Sequence, residues 1–138
     1  MYVTRKTDYA VRCVLFLSQA PGRITRAGEI SEAMLVPKTL LAKILQRLAK
    51  RGIVTSVRGA AGGFRLAKPP SEISLFEVIE AIQGTFALNA CAVDRAVCSL
   101  SGGCAVHPVW MELRRNVEKR LKDENFARLT RKKSKDRN

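Results

Sequence analysis

Three cysteines and one histidine lie close together in the chain and could hold a metal or a cluster. Six residues separate Cys91 from Cys98, five separate Cys98 from Cys104, and His107 follows Cys104 after two more. Thiolate and imidazole groups are the side chains that bind iron–sulfur clusters and zinc. The spacing therefore predicts a metal or cluster site within residues 91–107.

Zinc is the alternative to iron at this stretch, because three thiolates and an imidazole also suit a tetrahedral zinc ion. The gaps between the cysteines are wider than the roughly two to four residues of a common zinc knuckle. That difference favours a cluster. The fourth cysteine, Cys13, lies apart in an apolar helical pattern and is expected to be a core residue.

The N-terminal residues predict neither a secretory signal nor a membrane span. Arg5, Lys6 and Asp8 interrupt the chain before an apolar run develops, and no stretch approaches the ~20 apolar residues of a membrane helix. We therefore expect a cytoplasmic protein with no membrane partner. Stable disulfides are rare in that compartment, which again favours metal binding by the clustered cysteines.

A thiol or metal-dependent enzyme is a second functional class for such a stretch. The chain has 1 histidine, and Asp94 is the one acidic residue among residues 91–107. No general base is thus paired with a nucleophile there. We expect no enzymatic activity and no small-molecule substrate.

The charge of the chain is large and uneven. Its formal net charge is +13. Residues 1–68 carry 13 basic and 3 acidic side chains, residues 69–110 carry 1 and 4, and residues 111–138 carry 11 and 5. Basic segments therefore flank the cysteine stretch. Double-stranded DNA is the polyanionic partner that this excess favours, and a solvated basic surface is the alternative.

Apolar periodicity predicts three helices in the first half of the chain. The first covers about residues 6–18 and is largely apolar. Thr25 is expected to cap a short second helix, and Pro37 to occupy the first position of a third, which ends at Gly52. Two short helices joined by a tight turn predict a helix-turn-helix.

The outer face of the third helix is cationic and rich in hydrogen-bond donors. Its predicted DNA contacts are Lys38, Thr39, Lys43 and Arg47. Such a face suits the major groove, where side chains reach phosphates and base edges.

Residues 53–66 predict a β-hairpin with a glycine-rich turn, which makes the helix-turn-helix a winged helix. Arg58 and Gly59 lie at its bend and are the predicted DNA contacts of this wing, with Arg58 entering the minor groove. Arg65 and Lys68 are expected near phosphates.

Two more helices are predicted in the second half. Ser74 and Glu77 have the spacing of a capping box, which predicts a helix over about residues 75–83 that Gly84 closes. A last helix begins at His107 and Pro108.

One face of that last helix repeats apolar residues and predicts a homodimer. The face consists of Trp110, Leu113, Val117 and Leu121. A dimer would match a palindromic DNA site. The basic stretch 128–138 is expected to be disordered.

These elements divide the chain into four predicted parts. They are a winged-helix DNA-binding domain (1–84), a cysteine-bearing cluster loop (85–107), a dimerisation helix with its end (108–127) and a basic tail (128–138). The fold class is mainly α with a small β-hairpin wing.

Three sequence features together resemble the IscR/NsrR-type regulators of the Rrf-two family. They are residues 4–12, the run Leu-Ala-Lys-Arg-Gly-Ile-Val-Thr-Ser-Val-Arg-Gly-x-x-Gly-Gly over 48–63, and the three cysteines with His107. The match covers roughly residues 2–125. The resemblance implies a homodimeric winged-helix transcription regulator that reads a palindromic operator. It also implies that the cysteines ligate an iron–sulfur cluster and that the last long helix forms the dimer.

The resemblance leaves the fourth cluster ligand open. In one branch of the family a histidine three positions after the last cysteine completes a 2Fe–2S site, and His107 occupies the matching place. In the nitric-oxide-sensing branch an N-terminal aspartate of the partner subunit completes a 4Fe–4S site, and Asp8 occupies that place. The nearness of His107 to the cysteines favours the histidine and 2Fe–2S. Helix capping is the alternative role of both residues.

Overall fold

The computed structural model describes residues 2–136, and the side chains of residues 2–132. The helices and strands are α1 (Arg5–Ser18), α2 (Ala27–Met34), α3 (Lys38–Lys50), β1 (Val54–Val57), β2 (Gly63–Leu66), α4 (Leu75–Gln83), α5 (Ala90–Val93), α6 (His107–Asp123) and α7 (Phe126–Asp136). Short 3-10 turns cover Pro70–Glu72 and Arg95–Val97. The predicted fold class, mainly helical with a β-hairpin wing, is confirmed.

Helix α1 lies at the centre of the core. Thr4 caps it by accepting a hydrogen bond from the backbone N–H of Thr7 at 3.2 Å, and α1 packs against α2, α3, α4 and α7. Cys13 is completely buried in this core, and burial raises the pKa of its thiol to about 12. The position of Cys13 agrees with its predicted core role.

Helix α3 presents a continuous apolar stripe to the core. Leu41, Ile44, Leu45 and Leu48 are almost fully buried, and burial of each such side chain contributes about 1.5–3 kcal/mol. The turn before α3 places Leu35 in the left-handed conformation, with φ 55°. The stripe fixes which face of α3 remains outside.

Two predicted helix starts are wrong by a short distance. Arg26 rather than Thr25 precedes α2 and makes no side-chain cap. Thr25 is instead buried and exchanges two backbone hydrogen bonds of 2.8 Å with Phe64. Pro37 is the cap residue of α3 and not its first residue, so α3 begins at Lys38.

The hairpin is antiparallel, with Val54 opposite Leu66 and Val57 opposite Gly63. The bridge between Thr25 and Phe64 joins it to the segment that leads into α2, two residues before that helix begins. The wing is therefore attached to the helix-turn-helix by backbone hydrogen bonds on its inner side.

Helix α4 confirms the predicted capping box. The hydroxyl of Ser74 accepts from the N–H of Glu77 at 3.1 Å, and a carboxylate oxygen of Glu77 accepts from the N–H of Ser74 at 3.0 Å. Glu77 also pairs with the ammonium group of Lys68 at 2.6 Å. The charge of Lys68 is thus partly neutralised within the chain, although phosphate contact was expected of it.

The C-terminal part differs from the prediction. Helix α6 ends at Asp123 and not near residue 127, and α7 covers Phe126–Asp136, most of the stretch for which disorder was expected. The reason is tertiary packing, because Phe126 is completely buried and its N–H donates to the carbonyl oxygen of Ile73 at 3.1 Å. Residues 137–138 of the predicted tail lie outside the described residues. In residues 2–136 no helix is long and apolar enough to cross a membrane.

Candidate sensor site and nucleic-acid interface

The structure brings two of the four predicted cluster ligands into contact. His107, the first residue of α6, lies with its Nδ1 3.4 Å from the Sγ of Cys91 on α5. The imidazole is buried and the cysteine is half-buried. Asn89 also contacts Cys91, with its Oδ1 3.5 Å from the sulfur.

Cys98 and Cys104 lie in the same loop but do not join this pair. Both are half-buried free thiols, and the part of the chain whose side chains are described contains no group of three or more Cys, His, Asp or Glu able to hold a metal ion. By their chemical type, three thiols and an imidazole are suitable ligands for an iron–sulfur cluster or for zinc. In the described conformation two of these four groups, Cys91 and His107, are in contact.

The loop between the cysteines is ordered by its own short hydrogen bonds. A carboxylate oxygen of Asp94 accepts from the N–H of Ala96 at 2.9 Å, and the buried hydroxyl of Ser101 donates to the carbonyl oxygen of Arg95 at 2.8 Å. These bonds fold residues 94–101 back on themselves. Few apolar side chains are buried here, so the loop can rearrange at small cost.

Arg114 holds the backbone next to Cys91 and was missed by the sequence reasoning. Its Nη1 donates to the carbonyl oxygen of Ala92, next to Cys91, and its Nε pairs with Glu118 at 2.9 Å. Arg114 follows His107 by seven residues, so both lie on one face of α6. The spacing of seven residues from His107 was the sequence signal that could have identified Arg114.

The alternative ligand, Asp8, lies in the first turn of α1 and is engaged within the chain. Its Oδ2 is 2.8 Å from Nη2 of Arg12, one helical turn away. Arg12 also stacks over Tyr9, 5.3 Å from the ring centroid, and donates to the carbonyl oxygen of Met34 at 3.2 Å. Asp8 remains half-exposed and accessible.

The predicted recognition face of α3 points outward. Lys38, Thr39, Lys43 and Arg47 are all exposed. Arg47 differs from the other three, because its Nη1 donates to the carbonyl oxygen of Ile82 in α4 at 2.8 Å.

The bend of the wing is held in place from outside the hairpin. Arg58 and Gly59 are exposed at this bend, where Gly59 has φ 110°. Nη2 of Arg26 donates to the carbonyl oxygen of Ala60 at 2.6 Å. The predicted DNA contacts of α3 and the wing thus belong to one connected unit. The sequence around Arg26 has no pattern that indicates this contact.

The predicted dimer face of α6 is partly exposed. Trp110, Val117 and Leu121 are half-buried, whereas Leu113 is 37% exposed. At the other end of α6, Lys122 lies over the ring of Phe76, 4.6 Å from its centroid. Helix α6 therefore packs on α4 and leaves an apolar edge uncovered in the single chain.

Comparison with known proteins gives a consistent result. The model of the Rrf2 family, described as iron-dependent transcriptional regulators, matches residues 3–132. Protein aau3 of Rhizobium meliloti is 37% identical over 78% of this chain and 70% of its own length. The transcriptional regulator NsrR of Bacillus subtilis is 32% identical over 81% of this chain and 78% of its own.

A solved structure, that of T. potens IscR, has the same fold. It superposes with a TM-score of 0.76, covering 96% of this chain and 88% of that chain. Its sequence identity is 24%, so the similarity is one of fold.

Proposed function

The chain belongs to the Rrf2 family of transcription regulators. From that premise we propose that it is a homodimeric DNA-binding regulator. Its loop 91–107 would sense redox state, nitric oxide or iron status through an iron–sulfur cluster. The family consists of regulators and not of enzymes. The observation that carries the sensor proposal is the 3.4 Å approach of His107 Nδ1 to Cys91 Sγ. DNA binding would place the protein in the cytoplasm.

Cys91, Cys98 and Cys104 are the proposed thiolate ligands, with His107 as the fourth. A bound cluster would supply a redox-active centre that reacts with nitric oxide. His107 is favoured over Asp8 because it already lies against Cys91, whereas Asp8 is paired with Arg12 at 2.8 Å. We therefore favour 2Fe–2S over 4Fe–4S with the partner's Asp8.

Ligation requires Cys98 and Cys104 to approach the Cys91–His107 pair. The short internal bonds of residues 94–101 are the ones that must exchange in this movement. Arg114 links the α5 end of the loop to α6, so we expect the largest movement in the segment that carries Cys98 and Cys104 and a smaller shift at the α5 end. The ligation state of the thiols then determines how the loop packs against α6.

DNA recognition is proposed for the exposed face of α3 and the wing. Lys38, Thr39, Lys43 and Arg47 would enter the major groove, and Arg58 with Gly59 the minor groove. The high positive charge supplies the non-specific part of the affinity.

The apolar edge of α6 is proposed as the homodimer contact. It would relate the two recognition helices by a twofold axis and so match a palindromic operator. A small change in the spacing of the two helices costs specific affinity while leaving phosphate attraction intact.

The decisive experiment is anaerobic purification followed by iron and acid-labile sulfide analysis and an absorption spectrum. We expect about two iron and two sulfide per chain, the content of a 2Fe–2S centre. Cys98→Ala should abolish the visible absorbance and change operator affinity. Unchanged absorbance in Cys98→Ala would overturn the ligand assignment, and an iron content of about four would favour Asp8.

A zinc-bound or cluster-free regulator is the second candidate. It is favoured by the separation of Cys98 and Cys104 from the Cys91–His107 pair in the described conformation. The same metal analysis discriminates it, because zinc with no visible absorption, or no metal at all, would replace iron and sulfide.

A further inference from the structure

The last turn of α4 connects three parts of the molecule. We call Ile82, Gln83 and Gly84 the α4 junction. From α3, Nη1 of Arg47 donates to the carbonyl oxygen of Ile82 at 2.8 Å. Ahead of α1, the N–H of Thr4 donates to Oε1 of Gln83 at 3.1 Å. Gly84 begins the connection to the sensor loop.

The bond from Arg47 has a clear physical basis. The last carbonyl groups of a helix lack partners within the helix, and the negative end of the helix dipole attracts a cation. A guanidinium donor makes a charge-assisted and directional hydrogen bond. Arg47 reaches Ile82 across 35 residues of sequence, so the bond is a tertiary link between the two helices.

The junction is also linked directly to the sensor loop by the chain. Gly84 has φ 78°, a left-handed conformation in which the chain turns away from the helix. Cys91 follows seven residues later. Ala87, between them, is buried, which leaves little slack in this connection. A shift of the α5 end of the loop would therefore be passed to the last turn of α4 through this short connection.

We propose that Arg47 is a positioning residue that transmits the state of loop 91–107 to the recognition helix α3 through the α4 junction. The inference rests on the proposed function, in which that loop is the sensor and α3 reads DNA. Because Gln83 holds the start of α1 as well, a shift of the junction alters α3 relative to the helix on which it packs. The tilt of the recognition face changes as a result.

Arg47 is also one of the proposed DNA contacts, so its positioning role must be distinguished from a direct contact with phosphate. Arg51 provides a matched control, because it lies at the same end of α3, carries the same charge and approaches Glu80 of α4 only at 3.8 Å. Arg47→Gln and Arg51→Gln each remove one positive charge. Only Arg47→Gln removes the bond to Ile82. Arg47→Lys keeps the charge but loses the planar fork.

The first test measures operator affinity of the cluster-loaded and cluster-stripped full-length protein by fluorescence anisotropy. We expect Arg47→Gln to bring the ratio of the two affinities at least about fivefold closer to one, a typical size for an allosteric coupling. Arg51→Gln should weaken both states by the same factor and leave the ratio unchanged, and Arg47→Lys should restore the ratio only in part. Equal weakening of both states in Arg47→Gln would overturn the proposal.

The second test needs neither cluster nor DNA. Amide hydrogen exchange of residues 44–52 is compared between wild type and His107→Ala, and again with Arg47→Gln present in both. His107→Ala should change the exchange of this segment when Arg47 is present and leave it unchanged when Arg47 is replaced. No change with Arg47 present, or equal change in both backgrounds, would contradict the coupling. A purified protein without iron would contradict the proposed sensor, while this exchange result still decides the role of Arg47.

Discussion

Arg26 donates a hydrogen bond to the carbonyl oxygen of Ala60 at 2.6 Å, so the residue that precedes α2 holds the bend of the wing. This bond presents Arg58 in a defined place relative to α3. An exposed hydrogen bond of this kind contributes about 0.5–1.5 kcal/mol. We expect Arg26→Gln to weaken operator binding by roughly two- to tenfold, measured by fluorescence anisotropy.

A matched control for Arg26→Gln is Arg23→Gln. Arg23 carries the same charge, but its guanidinium pairs with Glu29 at 2.9 Å and not with the wing. Equal losses of operator affinity for Arg23→Gln and Arg26→Gln would show that charge, and not the position of the wing, limits affinity.

Arg58→Ala should weaken operator binding and reduce the preference for a narrow minor groove.

Gly63→Ala is expected to destabilise the winged helix. A Cβ at Gly63 would overlap the carbonyl oxygen of Thr25, which bonds to the N–H of Phe64. Relief of that overlap would break the bridge between Phe64 of the wing and Thr25. The free energy of unfolding should fall by about 1–3 kcal/mol, measured by urea denaturation.

Gly28→Ala is the appropriate comparison for Gly63→Ala. A Cβ at Gly28 meets nothing within 4 Å, and Gly28 lies in α2. Alanine favours a helix over glycine, so the free energy of unfolding should rise by up to about 1 kcal/mol. If Gly63→Ala lowers the free energy of unfolding by less than Gly28→Ala raises it, the proposed overlap is contradicted.

The sequence predicted local features well, but it predicted contacts between residues distant in sequence poorly. The capping box of Ser74 and Glu77 gave the bounds of α4, because both partners lie within one turn. Thr25 was assigned a local cap, but its backbone pairs with Phe64, which is distant in sequence. The basic composition of the stretch 128–138 indicated disorder and gave no sign that Phe126 would be fully buried and hold α7 against the core. In the sequence, Arg47 cannot be distinguished from the other basic residues of α3, and its hydrogen bond to Ile82 is seen only in the folded chain.

The four cysteines should differ in reactivity. Burial raises the pKa of the Cys13 thiol to about 12, so almost none of it is thiolate near neutral pH. Cys91, Cys98 and Cys104 are partly exposed. In metal-free folded protein, iodoacetamide should modify these three and spare Cys13, as determined by peptide mass spectrometry. Denaturation should make Cys13 reactive, and modification of Cys13 before unfolding would contradict its placement.

Leu113→Asp should separate the proposed dimer. Leu113 is 37% exposed on the apolar edge of α6, and a carboxylate there would be buried unpaired in a homodimer. Sedimentation velocity should give a monomer at concentrations where the wild type is a dimer, and operator affinity should fall at least about tenfold. Arg115→Gln, at an exposed position of the same helix, lowers the net charge by one as Leu113→Asp does and therefore controls for the change in charge. A dimeric Leu113→Asp protein would place the interface elsewhere.

Glu124 should make the corner between α6 and α7 sensitive to acid. The hydrogen bond from Arg120 lowers the pKa of the Glu124 carboxyl below its ordinary value of 4.5, and burial opposes this while Lys132 supports it. Its Oε2 lies 2.9 Å from Arg120 and 3.4 Å from Lys132. Because the folded-state pKa is depressed, the contribution to stability is present above pH 4.5 and is lost as the pH falls through the folded-state value.

Glu124→Gln tests this expectation, since it removes the charge and keeps the shape. We expect the variant to be less stable than the wild type at neutral pH and the difference to shrink progressively below pH 4.5, measured by urea denaturation of metal-free protein at each pH. Glu112→Gln, at an exposed position of α6, should follow the wild type throughout. A difference for Glu124→Gln that is independent of pH would mean that its packing, and not its charge, holds Phe126 and α7 in place.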